Sequence, residues 1–283
     1  MGAPTKKHRS LYDFLCASCR INYIVVTFTM GLTMMLVMNA VLDANDPELT
    51  SPLATTAFPK PKPLEPNKII LGMHKHEAYY HCAAKQPGLL SGFGTKKKIQ
   101  HIVLLHGSSY TKEDWKTSGI MQQLCDIDRY AVTALDLSHQ STSKPLINML
   151  NDLHEQGLIT SLPLAAIVTP SASGLAVVDW INKDPGRYVK SVQLWVPIAS
   201  PAVTKLQKSR MKELKSRHVP ILAIYGDKDA FQGKERSELL RDKVGAEVVR
   251  IKGKHACYLD SPDVFVEALT TRLDSIALKE DGQ

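Results

Sequence analysis

Several signatures are missing from the 283 residues, and each absence closes a class. No zinc-finger spacing, no RNP-like aromatic motif and no long basic block occurs, which sets nucleic acid aside despite a formal charge of +7. No internal repeat is present. No Asn-x-Ser/Thr sequon exists, so glycosylation lends nothing to a topology argument. Cysteine is sparse, at 5 residues, and Cys82, Cys125 and Cys257 make an odd number without framework spacing. Free thiols are therefore expected in the main body of the chain. What is present is ordinary: 44% hydrophobic and 22% charged residues exclude a disordered, collagen-like or polytopic membrane chain. The length is ample for one large core.

Part of the positive charge sits at the front. Residues 1–42 hold Lys6, Lys7, Arg9 and Arg20 against the single acid Asp13. Ile21 to Leu42 then runs for 22 residues without a charge. That is enough helix to span a hydrocarbon layer of roughly 30 Å. Asn22, Thr27, Thr29, Thr33 and Asn39 dilute the run without forbidding it, because helical Thr can return its hydroxyl to the preceding turn. It is longer than the apolar region of a cleaved signal peptide, and Met38-Asn39-Ala40 is a poor cleavage signal. Basic residues before it and Asp43, Asp46 and Glu48 after it predict a type II signal anchor. The N-terminus is then cytosolic and the rest luminal or extracellular. Cys16 and Cys19 flank the span as candidates for palmitoylation or as unmodified thiols. Residues 43–67 carry 6 of the 16 prolines and read as an extended stem. The expected divisions are a basic tail 1–20, an anchor 21–42, a stem 43–67 and one domain 68–283.

From Lys68 onward, short apolar runs alternate with amphipathic stretches, the pattern of a mostly parallel sheet covered by helices. Strands are expected at Ile69–His74, Ala78–Cys82, Ile102–His106, Tyr130–Leu137, Leu164–Pro170, Tyr188–Pro197, Pro220–Tyr225 and Glu247–Ile251, the first two forming an antiparallel edge. Helices are expected at Lys112–Cys125, Pro145–Gln156, Ser173–Asn182, Val203–Ser216, Lys234–Lys243 and Asp263–Leu278. In such sheets the reactive groups lie past the carboxyl ends of the strands.

Three residues stand there in an informative order. Ser171 follows the strand Leu164–Pro170 within Thr169-Pro170-Ser171-Ala172-Ser173, which supplies the small neighbours that a strained nucleophile turn requires. Gly174 next lets the following helix approach the sheet. The rival Ser173 has bulky Leu175 two residues on. Asp229 follows the strand ending at Tyr225, and His255 follows the next strand, 26 residues later. The order Ser, Asp, His is that of α/β-hydrolases. A serine hydroxyl is a weak nucleophile until a neutral imidazole accepts its proton, and a carboxylate holds that imidazole in the required tautomer. Asp227 is the alternative acid; the spacing from Gly226 favours Asp229. In the turn His106-Gly107-Ser108-Ser109, the amide of Ser108, with that of Ala172, is assigned to the oxyanion. His106 reads as a structural hydrogen-bonding residue. His74, His76 and His81 do not share one strand face, and no metal site is expected.

These motifs together resemble the abhydrolase-domain-14 family of small α/β-hydrolases. The matching strings are Val103-Leu104-Leu105-His106-Gly107, Trp115, Ala134-Leu135-Asp136-Leu137, Thr169-Pro170-Ser171-Ala172-Ser173-Gly174, Val196-Pro197-Ile198-Ala199, Ile224-Tyr225-Gly226 with Asp229, and His255-Ala256-Cys257-Tyr258-Leu259 with Pro262. The resemblance covers residues 68–278 and implies an eight-stranded hydrolase sheet with Ser171, Asp229 and His255 as triad. One branch of that family carries an N-terminal anchor, as expected here. The resemblance also implies hydrolysis of small acyl esters, or passage of an acetyl group from lysine to coenzyme A. A catalytically silent hydrolase fold that serves as an interaction module is the reading from another class.

Two departures from the family pattern border the site. Ser138-His139-Gln140-Ser141-Thr142-Ser143 replaces a glycine-rich turn, and Lys254 stands where a glycine usually precedes the histidine. Ser109 and His139 are the expected substrate contacts. About twenty residues separate Ala199 from Pro220, enough for one helix and no cap domain. An uncapped site suits small acyl groups or a group displayed on a larger partner. Lys205, Lys208, Arg210, Lys212, Lys215 and Arg217 form the densest basic stretch, either a solvated face or a phosphate-attracting one.

Overall fold

Continuous apolar runs rather than alternating ones mark the middle of the sheet, as burial on both faces demands. The structure, a computed structural model, describes residues 67–75, 77–84, 99–138, 141–231 and 233–281, all within the unit Lys62–Gln283. The candidate tail, anchor and nearly all of the stem lie outside the described residues, as do Cys16, Cys19, His76 and His139. Among the described residues no helix is long and apolar enough to cross a membrane.

Eight strands form one sheet: β1 Ile69–His74, β2 Glu77–Cys82, β3 Gln100–Leu104, β4 Tyr130–Leu135, β5 Leu164–Pro170, β6 Val192–Ile198, β7 Leu222–Gly226 and β8 Glu247–Ile251. Their order is β1-β2-β4-β3-β5-β6-β7-β8. The pairs β1–β2 and β2–β4 are antiparallel and the others parallel. Every residue of β4 and β5 is buried, whereas β1, at the edge, is only half-buried.

Side-chain alternation sends the inner strands to two cores. Ile102 and Leu104 join one core with Trp115, Met121, Leu124, Phe265 and Leu269, under the helices Lys112–Thr117, Ile120–Cys125 and Pro262–Asp281. Val103 and Leu105 join the other with Leu153, Trp180, Tyr188, Leu214 and Leu240. That face carries the helices Ser143–Glu155, Gly174–Lys183, Pro185–Ser191, Lys208–Ser216 and Gly233–Val244. Between β6 and β7 stand only a 3-10 turn, Pro201–Lys205, and the short helix Lys208–Ser216, so no cap domain is inserted there. Glu213 of that helix bridges Arg210 and, just past its end, Arg217; Lys205 in the turn and Lys208, Lys212 and Lys215 in the helix are exposed.

Four expectations are corrected. Residues 188–191, expected to begin a strand, belong to the helix Pro185–Ser191; Asp184 caps it by accepting from the Arg187 N–H, and Pro185 opens its first turn. The helix expected over Lys112–Cys125 is broken by Gly119, which takes a left-handed φ of 78°. The helix expected over Val203–Ser216 is likewise two pieces. Finally, Cys82 and Cys125 are not free thiols but a disulfide pair, with Cα atoms 6.2 Å apart; only Cys257 remains a buried free thiol among the described residues. β2 and the helix Ile120–Cys125 bring the two cysteines together over a separation of 43 residues, which local spacing does not reveal.

β2, β3 and β4 also bury an imidazole pair. The Thr133 hydroxyl lies 2.9 Å from His81 Nδ1 and 2.8 Å from His101 Nε2, with neither ring reaching solvent. Burial holds His81 down at about 4 and, with help from His81, His101 down at about 3.

Candidate active site

β5 ends at Pro170, and Ser171 turns the chain at a φ of 50°, a left-handed conformation that is costly for a residue with a Cβ. Neighbours hold it there. Ser200 Oγ donates to the Ser171 carbonyl at 2.7 Å, and Ser173 Oγ donates to the Pro170 carbonyl at 2.8 Å. Gly174 permits the close approach: a Cβ on it would fall 2.1 Å from Ser200 Oγ. A 3-10 turn, Ser171–Ser173, then leads into the helix Gly174–Lys183. The expected helix start at Ser173 is thus one residue early. Ser173 is buried and bonded to backbone, so the rival hydroxyl is occupied.

Ser171 Oγ lies 2.9 Å from His255 Nε2, and His255 Nδ1 lies 3.2 Å from both carboxylate oxygens of Asp229. A carboxylate only accepts, so the Nδ1 proton belongs to this bond and Nε2 is left to accept from the serine. The Asp229 side chain is 1% exposed, while that of His255 is 27% exposed. Asp229 Oδ1 also accepts from the Phe231 N–H at 2.7 Å. The carboxylate precedes the helix Gly233–Val244, whose N-terminal dipole favours negative charge.

The other acid has a different task. Asp227 Oδ1 accepts from the Gly253 N–H at 2.8 Å, and the Lys228 N–H donates to the Gly253 carbonyl at 2.9 Å. Together they clasp the loop that presents His255. Lys254 is exposed, and its amide donates to Asp260 Oδ2. Cys257, just beyond, is no competing nucleophile: burial first, and then the charge of Asp229, push its thiol up to about 12.

The turn after β3 approaches the same serine. The position a Cβ on Gly107 would take lies 3.6 Å from Ser171 Cβ. The Gly107 carbonyl accepts from His106 Nδ1 at 2.9 Å and from the Tyr110 N–H at 3.1 Å. Because the peptide is planar, pinning that oxygen also orients the Ser108 N–H on the opposite side of the same unit. His106 is supported in turn by Asp136, whose Oδ1 lies 3.5 Å from Nε2 and accepts from the Lys112 N–H at 2.9 Å. Lys112 Nζ donates to the other Asp136 oxygen at 2.8 Å. Ala172 sits in the turn beside Ser171. Ser109 is exposed at the tip of its turn, and His139 lies outside the described residues.

One neighbour escapes sequence reasoning. The Phe231 ring, 65% exposed, packs at 72° to the His255 ring with centroids 5.3 Å apart. Its only sequence signal is an aromatic two residues after the acid, which is weak by itself.

Comparison with known proteins agrees with the motif-level likeness. The chain is 28% identical over 184 residues to a protein of Pongo abelii named putative protein-lysine deacylase ABHD14B, the alignment spanning 62% of this chain and 83% of that one. It is 29% identical over 189 residues to human protein ABHD14A, spanning 62% of this chain and 64% of that one. Both kinds match at similar identity, so the comparison does not separate them. Among solved structures, a fluorophosphonate-binding serine hydrolase F of Staphylococcus aureus superposes with a TM-score of 0.53 at 11% identity, covering 73% of this chain and 97% of that one. That likeness is one of fold. No protein-family model matches the chain.

Proposed function

We propose that this chain is a serine hydrolase that cleaves or transfers small acyl groups through a covalent acyl-enzyme on Ser171. The observation that carries the reading is the array Ser171 Oγ, His255 Nε2 and Asp229, at hydrogen-bond distances and at the strand ends where this fold presents reactive groups. Ser171 Oγ attacks the acyl carbonyl while its proton passes to His255 Nε2. Asp229 holds the ring and stabilises the imidazolium. The carbonyl oxygen, now negative, is received by the amides of Ser108 and Ala172. Collapse of this intermediate expels the leaving group, which takes the proton from His255. Water or a thiol, such as that of coenzyme A, then attacks the acyl-enzyme with His255 as base, and Ser171 is released.

The name of the relatives that match at 25–28% identity favours a second reading, removal of acyl groups from protein lysine. An uncapped site is compatible with a lysine displayed on a partner. The two readings share the acyl-enzyme and differ in leaving group. Wild-type chain and the Ser171→Ala variant are to be compared on acetate esters and on an acetyl-lysine peptide, with and without coenzyme A. Ser171-dependent turnover of either substrate supports the hydrolase, and turnover indifferent to Ser171 contradicts it. A folded chain that turns over neither would favour the interaction module.

We further propose a single-pass type II arrangement, with residues 21–42 as anchor and the hydrolase domain luminal or extracellular. The basic flank of the run supports it. So does the Cys82–Cys125 pair, since disulfides persist chiefly in oxidising compartments. Protease protection of the C-terminus in sealed microsomes tests it; cleavage without detergent contradicts it.

A further inference from the structure

An aromatic side chain left in water beside a reactive imidazole asks for a partner. Among the described residues the other large exposed apolar side chains, Leu71, Met73, Leu162, Val264 and Leu278, stand on β1, before β5 and on the helix Pro262–Asp281. Single exposed hydrophobics of that kind are ordinary. Phe231 differs because its ring lies against His255. Its backbone is also anchored: the Phe231 N–H donates to Asp229 Oδ1 at 2.7 Å, so the chain that carries the ring is tied to the same carboxylate that orients the imidazole.

The chemistry says which part of a substrate would meet that ring. His255 Nε2, the atom facing Ser171, must hand its proton to the departing group. The leaving group therefore departs on the imidazole side of Ser171, and the acyl chain points away from it. By microscopic reversibility the acyl acceptor enters along the same path. The Phe231 ring packs on the imidazole that serves this path, with centroids 5.3 Å apart.

We propose that Phe231 is a specificity-determining residue of the leaving-group side, and that the substrates are small acyl groups carried on an alcohol, thiol or amine with an apolar stem. This deepens the serine-hydrolase reading and rests on it. The stem covers the Phe231 ring and gains about fourfold in affinity for each methylene removed from water. Bound there, it also keeps water from the imidazole until it leaves. The same surface then favours an apolar-stemmed acceptor over water, which disposes the acyl-enzyme toward transfer.

The test uses the full chain in detergent with two ester series. Ethyl and hexyl acetate vary the leaving group at nearly constant alcohol basicity; ethyl acetate and ethyl hexanoate vary the acyl chain. For wild type, Phe231→Leu and Phe231→Ala, kcat/KM is measured for each ester, and labelling of Ser171 by a fluorophosphonate is followed in parallel. The proposal expects wild type to prefer hexyl over ethyl acetate, and Phe231→Ala to reduce that preference about tenfold. Phe231→Leu retains most of it, and the acyl-chain preference moves in neither variant. Loss of both preferences together, or of neither, in variants whose Ser171 still labels overturns the proposal and leaves the hydrolase intact. A folded wild type whose Ser171 takes no label overturns the serine-hydrolase reading, and this inference with it.

Discussion

Asp229 occupies space that any side chain at position 233 would contest: a Cβ on Gly233 would fall 2.1 Å from Asp229 Oδ2. The acid and the helix Gly233–Val244 that follows it are therefore packed as one unit. Gly233→Ala must push the carboxylate off the His255 ring or displace the helix start. Displacements of about 1 Å in such arrays cost about 100-fold in rate. The expected result is a loss of kcat of that order on acetate esters with KM little changed, in a protein whose circular dichroism is that of wild type.

His106 is expected to matter through a peptide rather than through substrate. Its Nδ1–H and the Tyr110 N–H hold the Gly107 carbonyl, and so the direction of the Ser108 amide. His106→Ala should lower kcat, with complete loss of that donor setting a ceiling of about 10²–10³-fold. His106→Asn, whose amide N–H can replace Nδ1–H, should recover part of it. Steady-state kinetics of the two variants make the comparison; equal losses in both would point to packing alone.

Acid should destabilise this fold through His81 and His101. Their folded values, about 4 and about 3, lie below the ordinary histidine value of 6.5, so the unfolded chain binds more protons. Stability is full above pH 6.5 and falls as pH drops toward those folded values. The slope approaches about 1.4 kcal/mol per pH unit for each ring. Thermal melts between pH 7 and pH 5 should show Tm falling, and His81→Gln should flatten the curve.

The Cys82–Cys125 pair predicts a linked peptide in non-reducing digests of the native protein, and its disappearance on reduction. Closing a loop of 43 residues is worth about 4 kcal/mol by chain entropy. Cys82→Ser should therefore melt markedly lower than wild type under oxidising conditions, and the two should converge under reductant.

What could be read from sequence alone follows from how local each signal is. The bounds of β5 and the candidate nucleophile after it were legible because a fully apolar run ends in small residues around Ser171. The distance from Gly226 pointed to Asp229 rather than Asp227; in the structure Asp229 faces His255 Nδ1, and Asp227 accepts from the Gly253 N–H. Residues 188–191 misled because their apolar members serve a helix started by Asp184 and Pro185. The disulfide, the Thr133-bridged histidines and the Phe231–His255 contact were not legible. Each depends on strand order or on a loop's path, which no spacing along the chain records.

The role proposed for Ser171 is that of a nucleophile activated by His255 and Asp229. Its most direct test is peptide mapping of the full chain after exposure to a fluorophosphonate, for wild type, Ser171→Ala and His255→Ala. An adduct on Ser171 is expected in wild type, none in Ser171→Ala, and strongly slowed labelling in His255→Ala. A folded wild type with no adduct on Ser171, or labelling that proceeds equally fast without His255, would contradict it.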